Sequence, residues 1–422
     1  MVSQVLVPQL LIKMLNLKEY IAEDKNVHLE HVEDLVFNEG VDGTRKAINF
    51  LRDLRDMLAG HSASKITATV KWDGAPAVFA GVDPGDGKFF VAKKGVFNKT
   101  PKVYKTAAQV DADTSGDLAV KLKAALTEFK KLGIKSGVYQ GDLMFTQADL
   151  KTEMIDGQKY TTFHPNTIVY AVPFDSGLAA KIRKAKVGVV WHTTYEGPSF
   201  ETMRASFGKS IIANMAHVPS VWMDDANYKD YSGTATFTAA ETKHVTEMLS
   251  AVGKLFNQIP AKTLNDIRSD EDLLMLVKTF NNTKVREGTK INPVQHTRDL
   301  FQWIYDRFQK DIDTKKTEKG KSAQEEKRKK ILAFFANHPQ EDIVKIFEIS
   351  NMIADIKSVI IAKMNQAGHI QTFVKTSSGF KVTGVEGFVA IDHMKGGAVK
   401  IVDRMEFSKN NFSADIIKGW QK

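Results

Sequence analysis

The spacing of apolar residues divides the chain into helical and strand-rich regions. Residues 27–58 carry apolar side chains at intervals of three and four, which predicts helices interrupted at two glycines. Residues 66–72, 77–80 and 89–91 are short β-rich runs separated by turn sequences. This first part of the chain therefore predicts helices followed by an antiparallel meander.

The rest of the chain alternates in the same way. A helix is predicted over residues 118–132, and strands follow at 137–140 and 167–173. A long stretch of helical spacing comes next, and strand signals return only near the end of the chain, at 373–382, 386–391 and 398–402. We therefore predict an α+β fold in four parts, which are an N-terminal helical segment (1–64), a core in two pieces (65–198 and 370–422) and a helical insertion between them (199–369).

Composition narrows the class of protein. The chain has 422 residues and no cysteine, which excludes disulfides, cysteine–zinc sites and thiol nucleophiles and fits an intracellular protein. Its 59 basic and 50 acidic residues leave a net charge of +9, which favours a polyanionic partner such as nucleic acid. No apolar run approaches the ~20 residues of a membrane span, and the first residues lack the features of a secretory signal. We expect no membrane partner and a cytoplasmic location.

Six short motifs bearing polar or strand-forming residues follow one another along the chain. The first is Lys71-Trp72-Asp73-Gly74, a lysine at a strand end directly before a tight turn. The others are the paired lysines Lys93 and Lys94, the Gly-Asp pair that ends at Asp142, the apolar strand 168–172, Glu386 followed by Gly-Phe-Val, and Lys400 on the last strand. Each motif alone occurs often by chance, and their order is the informative feature.

In this order the motifs resemble those of the covalent nucleotidyltransferase superfamily, which includes ATP-dependent DNA and RNA ligases and the capping guanylyltransferases. The resemblance covers about residues 65–176 and 370–405. It implies a ligase-type nucleotidyltransferase core with ATP-grasp-like antiparallel sheets. It also implies that Lys71 is a nucleophile that takes an adenylyl group from ATP.

The resemblance assigns roles to the other motif residues. The backbone of Val70 and Trp72 would read the adenine edge, and Asp142 would contact the ribose. Asp73 belongs to the same nucleotide-binding turn, and Gly74 would allow the nucleotide to approach closely. The base would stack on Tyr170 or Val172.

The remaining motif residues would act on the phosphates. Lys93, Lys94 and Lys400 would clamp the triphosphate and favour the neutral amine that the nucleophile needs. Glu386 would hold a divalent metal, Mg²⁺ or alternatively Mn²⁺, that orients the leaving pyrophosphate.

Three positions depart from the family pattern. The third motif carries Asp142 where a glutamate is usual, and Val172-Pro173 stands where the family has an aromatic residue before an acid. Val402 replaces the second lysine of the last motif, and Arg404 is a candidate to compensate for it. A degenerate, inactive member of the family is therefore an alternative.

We expect an ATP-dependent polynucleotide ligase that seals 5′-phosphate and 3′-hydroxyl ends, with RNA favoured over DNA. Only residues 403–422 follow the last motif, too few for the oligonucleotide-binding barrel of DNA ligases and capping enzymes, and the lack of cysteine argues against NAD-dependent ligases.

The alternatives are a guanylyltransferase, nucleotidyl transfer to another acceptor, or a non-catalytic nucleic-acid-binding relative. The organisation resembles bacteriophage-encoded ligase-like proteins, which would place the protein in the cytoplasm of an infected bacterium. The sequence does not predict the oligomeric state.

Other polar segments have simpler interpretations. Residues 28–34 include two histidines and three acids, and the start of a solvent-facing helix is favoured over a metal site. Residues 313–330 carry eight basic and four acidic side chains, which predicts either a solvated helix or a contact with a phosphate backbone through Lys327–Lys330. His164 and His192 are interpreted as loop or core histidines.

Overall fold

The computed structural model describes residues 29–60, 66–207, 210–229, 235–368, 370–392 and 397–421. The predictions for residues 1–28, including His28, lie outside the described residues. The helices of the described part are α1 (Leu35–Asn38), α2 (Gly40–Leu58), α3 (Ala107–Asp113), α4 (Gly116–Phe129), α5 (Gly177–Lys184), α6 (Ala239–Phe256), α7 (Ala261–Ser269), α8 (Glu271–Glu287), α9 (Pro293–Asp313), α10 (Glu318–Asn337), α11 (Gln340–Met364) and α12 (Arg404–Phe412).

The strands form three sheets. In chain order they are β1 (Ile66–Lys71), β2 (Ala77–Val82), β3 (Phe89–Ala92), β4 (Val138–Thr146), β5 (Lys151–Ile155), β6 (Gln158–Phe163), β7 (Ile168–Pro173), β8 (Val187–Glu196), β9 (Arg204–Phe207), β10 (Val221–Asp225), β11 (Gln371–Thr376), β12 (Gly379–Val382), β13 (Gly387–Asp392), β14 (Ala398–Ile401) and β15 (Ile416–Ile417). The predicted α+β class is confirmed, and all strand pairs but one are antiparallel.

The first sheet has the order β1-β13-β14, so its strands come from opposite ends of the chain. Lys71 lies opposite Gly387, and Val389 lies opposite Lys400. The predicted meander is therefore wrong for its first strand, which pairs with β13 and not with β2. Ile66 and Ala68 point from β1 into the helical core, and burying them there requires β1 to leave the other strands.

The second sheet has the order β10-β8-β4-β2-β3, and β9 pairs with β8. Its two late strands correct a predicted boundary, because Arg204–Phe207 and Val221–Asp225 belong to this sheet although the sequence suggested that helices begin at 199. The first helix of the insertion begins at Ala239. Short strands such as β9 hold too few residues to show a periodic pattern.

The third sheet has the order β12-β11-β7-β6-β5 and packs against the second. A shared apolar core lies between them, with Met144, Val190 and Trp222 from the second sheet and Phe163 and Tyr170 from the third. The hairpin of β11 and β12 brings residues from the end of the chain onto β7. The two predicted halves of the core are thus joined.

The helices pack together behind the first sheet. One core contains α2 and the helices α6 to α11, and it includes Ile66, Phe388 and Ile401 from the three strands of that sheet. The N-terminal helical segment and the helical insertion therefore form one bundle. In the described residues, no helix combines the length and the apolar composition needed to cross a membrane.

Candidate functional site

Lys71 and Glu386 form an ion pair at the end of the first sheet. Lys71 is the last residue of β1, and Glu386 directly precedes β13, the neighbouring strand. The Glu386 side chain is 8% exposed and the Lys71 side chain 34% exposed, so the amine keeps an open side. The Phe407 ring of α12 covers another side, with its centroid 5.9 Å from the Lys71 Nζ.

Two glycines let the backbone around this pair approach its neighbours. Gly387 has a φ of +147°, and a Cβ there would lie 2.6 Å from a methyl group of Val402. A Cβ at Gly74 would lie 2.5 Å from the Asp142 Cβ, so any side chain would push the turn off β4. Gly74 is thus needed for packing against the second sheet, and in this way it brings the turn after Lys71 next to Asp142.

Asp142 on β4 faces the ion pair from the second sheet. Burial raises the pKa of Asp142 to about 7, the Lys71 charge opposes this, and the negative charges of Glu386 and Asp73 add to it. The pKa of Glu386 is also raised, first by burial. Two carboxylates therefore compete for the charge of Lys71, as is typical of groups gathered at functional sites.

Lys400 is the second cation of the cluster. Burial lowers its pKa, and repulsion by the Lys71 charge lowers it further. Its side chain has no ion-pair partner among the residues that the structure describes, although its backbone N–H donates to the Glu30 carbonyl at 2.8 Å. A bound anion would stabilise the charged form of this amine.

Asp73 is held by the protein itself. Its carboxylate accepts hydrogen bonds from the Asn166 side chain at 2.5 Å and from the backbone N–H groups of Thr167 and Ile168 at 2.7 and 2.8 Å. The backbone N–H of Asp73 donates to the Tyr170 hydroxyl at 2.7 Å. The side chain therefore fixes the turn after Lys71, and its oxygens are already used.

The positions predicted to stack on a base are closed. Tyr170 and Val172 are 0% and 1% exposed. The Tyr170 ring packs on Phe163 at 5.3 Å between centroids and on Trp72 at 5.2 Å. In this conformation neither side chain offers a surface to a base. The indole nitrogen of Trp72 is buried and has no hydrogen-bond partner among the described residues.

The backbone of Val70 is also engaged, and Lys93 has a different partner. The Val70 N–H donates to the Ala226 carbonyl at 2.6 Å, which joins β1 to the chain after β10. Lys93 pairs with Asp113 at 2.9 Å, which raises the pKa of the lysine. Lys94 is an exposed residue beside it. Of the lysines predicted to bind the triphosphate, Lys400 therefore stays available, whereas Asp113 already neutralises the charge of Lys93.

His192 on β8, interpreted from the sequence as a loop or core histidine, belongs to the cluster. Its Nε2 lies 3.9 Å from the Asp142 Oδ2, and its side chain is 28% exposed. Burial, assisted by the Lys71 charge, lowers the pKa of His192 to about 4. The imidazole is therefore neutral near pH 7. His192 is the extra residue of a bulge, because Trp191 and Thr193 pair with the adjacent residues Gly141 and Gln140. The sequence could not reveal that β8 pairs with β4.

A second group of charges lies behind Lys400. Glu33 binds Lys357 at 2.6 Å, and Asp34 binds Arg404 at 2.8 Å. Residues 28–34 were expected to face solvent, and this is wrong for Glu33 and Asp34, which are 5% and 9% exposed. Arg404 is held by Asp34 and by Asn282, so in this conformation it does not replace the missing lysine of the last motif.

His31 and Lys418 complete the surroundings. Burial and the nearby cations, Arg404 first among them, lower the pKa of His31 to about 2. Lys418 is 8% exposed and donates to the Thr167 hydroxyl at 3.1 Å and to the Asn410 carbonyl at 2.6 Å. It thereby ties the end of the chain to the loop that holds Asp73.

The basic run in the helical bundle is neutralised by acids. Lys327 and Lys330 pair with Asp272 and Asp270 on α8 at 2.7 and 2.8 Å. Its two middle residues, Arg328 and Lys329, pair with Glu325 and Glu326 on their own helix. The solvated-helix interpretation of this segment is therefore favoured over a phosphate contact.

The comparison with family models gives one match, over residues 26–416, to DUF6267, which is described as a family of unknown function. Since the match spans nearly the whole chain, the protein belongs to this family. No curated protein and no solved structure matches it significantly.

Proposed function

We propose that this protein is an ATP-dependent polynucleotide ligase that forms a lysyl-AMP intermediate on Lys71. The observation that carries the proposal is that Lys71, Glu386, Lys400 and Asp142 share one cluster although they are drawn from distant parts of the chain. The cluster combines a partly exposed amine, two carboxylates and a half-buried lysine with no ion-pair partner among the described residues. These groups can serve as nucleophile, as proton acceptor and as stabiliser of phosphate charge in the transfer of an adenylyl group.

The first step would join Lys71 to AMP. The neutral Nζ attacks the α-phosphorus of ATP, the N–P bond forms, and the bond to the bridging oxygen breaks with release of pyrophosphate. Glu386 already accepts a hydrogen bond from the amine and is placed to take the proton that the amine loses. Lys400 would stabilise the negative charge that develops on the phosphates.

The residues present fit a divalent cation bound together with the nucleotide. The described residues contain no cluster of three or more metal-ligating side chains. One or two carboxylates completed by phosphate oxygens is the usual environment of Mg²⁺ in phosphoryl-transfer sites, and Glu386 and Asp142 supply those carboxylates. The ion would offset phosphate charge during the reaction.

The later steps would use a nucleic acid with a 5′-phosphate. A terminal phosphate oxygen attacks the adenylyl phosphorus and breaks the N–P bond, which frees Lys71. A 3′-hydroxyl then attacks the activated 5′-phosphorus, forms the phosphodiester and releases AMP. RNA is the favoured substrate, and action in the cytoplasm of an infected bacterium stays a prediction from the resemblance.

The test is self-labelling with ATP that is radioactive at its α-phosphate, in the presence of Mg²⁺, read on a denaturing gel. We expect a labelled band that disappears in Lys71→Met and persists in Lys290→Met, which removes an exposed lysine outside the predicted set. Labelling by GTP alone would favour a guanylyltransferase. If no nucleotide labels the wild-type protein, the ligase proposal fails and a binding role takes its place.

A further inference from the structure

A cationic groove runs between two helices on the surface of the bundle. One wall is α2 and the other is α6, and the groove has a volume of about 450 Å³. This volume lies in the ~300–1,000 Å³ range of pockets that hold small ligands or single ligand units. The groove belongs to the joint between the N-terminal segment and the helical insertion.

Three arginines occupy the α2 wall. Arg45, Arg52 and Arg55 are spaced by seven and three residues, which places them on one face of the helix. Arg45 and Arg52 are exposed, and the Arg52 guanidinium donates to the Asn49 side chain at 3.0 Å. The groove is therefore lined by fixed donors that can bind a phosphate through two N–H groups at once.

The acids near the groove offset only part of this charge. Arg55 binds Asp56, its neighbour in sequence, and also donates to the Thr246 hydroxyl at 3.0 Å. Arg45 lies 3.7 Å from Asp42, a weak contact between two exposed side chains. The residues that line the groove include no aspartate and no glutamate. A net positive groove remains.

The α6 wall adds groups that suit a nucleic acid. Asn257 provides an exposed amide that can bind phosphates and sugars. The hydroxyls of Thr246 and Ser250 already donate to backbone carbonyls of their own helix. Phe256 is half-buried beside them, with the Arg45 guanidinium 6.0 Å from its ring centroid. Aromatic rings next to cations are the usual stacking surfaces for the bases of single strands.

We propose that this groove, the α2–α6 groove, binds a single strand of RNA through its phosphate backbone. The inference rests on the proposed function for its substrate class, because a ligase must hold a strand near its end. A single strand is the occupant because its unpaired bases can stack on Phe256, whereas the bases of a duplex are already stacked and paired. The basic run at Lys327–Lys330, which the sequence suggested for this task, is already paired with acids.

Binding is measured by fluorescence anisotropy with a labelled, unstructured RNA oligonucleotide over a range of salt concentrations. We expect Arg45→Gln/Arg52→Gln to weaken binding at least tenfold and to lower the slope of log affinity against log salt by about 1.4, since each phosphate contact on a single strand contributes about 0.7. The control is Lys327→Gln/Lys330→Gln, which removes the same charge, and it should change both quantities little.

A second pair of variants blocks the groove itself. A Cβ at Gly253 meets nothing within 4 Å, so Gly253→Ala should leave binding unchanged. Gly253→Glu places a carboxylate in the same space and should abolish binding. Far-ultraviolet circular dichroism and thermal unfolding check that each variant is folded.

The outcomes separate this inference from the proposed function. Equal affinity of the wild type and the double-arginine variant, or no RNA binding by the wild type at low salt, would overturn the groove assignment, and so would equal binding of a duplex. Self-labelling of Lys71 is scored in the same preparations, and the groove variants should retain it. If the wild-type protein binds RNA but is not labelled by ATP, the groove assignment stands and the ligase proposal fails.

Discussion

Two groups of buried charges meet near Lys400, and they are organised differently. In the rear group, each cation has a carboxylate at hydrogen-bond distance: Glu33 pairs with Lys357 at 2.6 Å, and Asp34 pairs with Arg404 at 2.8 Å. In the front group, the carboxylates of Glu386 and Asp142 both interact with the charge of Lys71. Lys400 has no ion-pair partner among the described residues.

This difference in ion pairing distinguishes charges that stabilise the fold from charges that are available to a ligand. Burying an ion costs free energy unless a partner compensates for it, so a fully paired cluster adds order while an incompletely paired cluster strains the fold. A protein that keeps such a cluster gains from it in some other way, and binding a charged ligand is the simplest gain. Charge matching thus supports the proposal that the front group is the site, while the rear group lies where the bundle meets β14.

The largest expected effect comes from breaking the rear group. Lys357→Met leaves Glu33 buried without its partner, and we expect the free energy of unfolding to fall by about 3–5 kcal/mol. Urea denaturation measures it, and Lys290→Met, which breaks an exposed pair with Asp355, should cost less than about 1 kcal/mol. Similar losses in both variants would mean that the rear group is not a support.

A substitution in the front group should change the rate of self-labelling more than the free energy of unfolding. Glu386→Gln keeps the shape of the side chain and removes a charge that burial disfavours, so we expect the free energy of unfolding to change by less than about 1 kcal/mol. The rate of self-labelling should fall by about 10²–10³-fold, the usual loss when one electrostatic group is removed from a reacting centre. In the control, Glu153→Gln, a carboxylate paired with Lys375 outside the site is altered and the rate is retained. A stable variant with the full wild-type rate would remove Glu386 from the proposed chemistry.

The most gradual effect is a pH dependence from Asp142. Its pKa is raised to about 7 in the folded protein, so the folded state holds the proton more tightly than the unfolded chain. Its contribution to stability is then present below about pH 4 and is lost as the pH rises through 7. The free energy of unfolding of the wild type minus that of Asp142→Asn should fall across this range, by less than about 1.4 kcal/mol per pH unit.

The subtraction removes the contributions of groups that do not contact Asp142, and the remaining slope belongs to Asp142 with its neighbours Glu386 and His192. His31 has a lowered pKa, which gives a slope of opposite sign in both proteins and cancels in the difference. A difference that does not change with pH would show that Asp142 is ionised across the range and that the two groups of charge do not differ in the way described.

The sequence predicts the site residues better than their surroundings. Lys71, Glu386 and Lys400 stand next to glycines or at strand ends, where a local pattern is visible, and three of the predicted strands, at 167–173, 386–391 and 398–402, are confirmed within a residue or two. The pairing of β1 with β13 joins residues more than 300 positions apart, and no local spacing encodes it.

The missed residues have the same explanation. His192 and Glu33 become important through partners that only the tertiary structure provides, Asp142 for one and Lys357 for the other. The exposed assignment was wrong for Glu33 and Asp34, because opposite charges from α11 and α12 pair with them in the interior. Charged side chains usually prefer solvent. The basic run at 327–330 is less favoured as a binding surface because acids pair with it. Two of them, Asp270 and Asp272, lie at least 55 positions earlier in the chain, so local spacing could not reveal the pairing.

The most direct test of the central claim is to locate the adenylyl group. The protein is incubated with ATP and Mg²⁺, digested, and its peptides are sequenced by mass spectrometry under conditions that preserve the N–P bond. The account predicts one adenylyl group on the peptide that contains Lys71, on the amine of that residue. An adenylyl group on another lysine, with Lys71 unmodified, would contradict it.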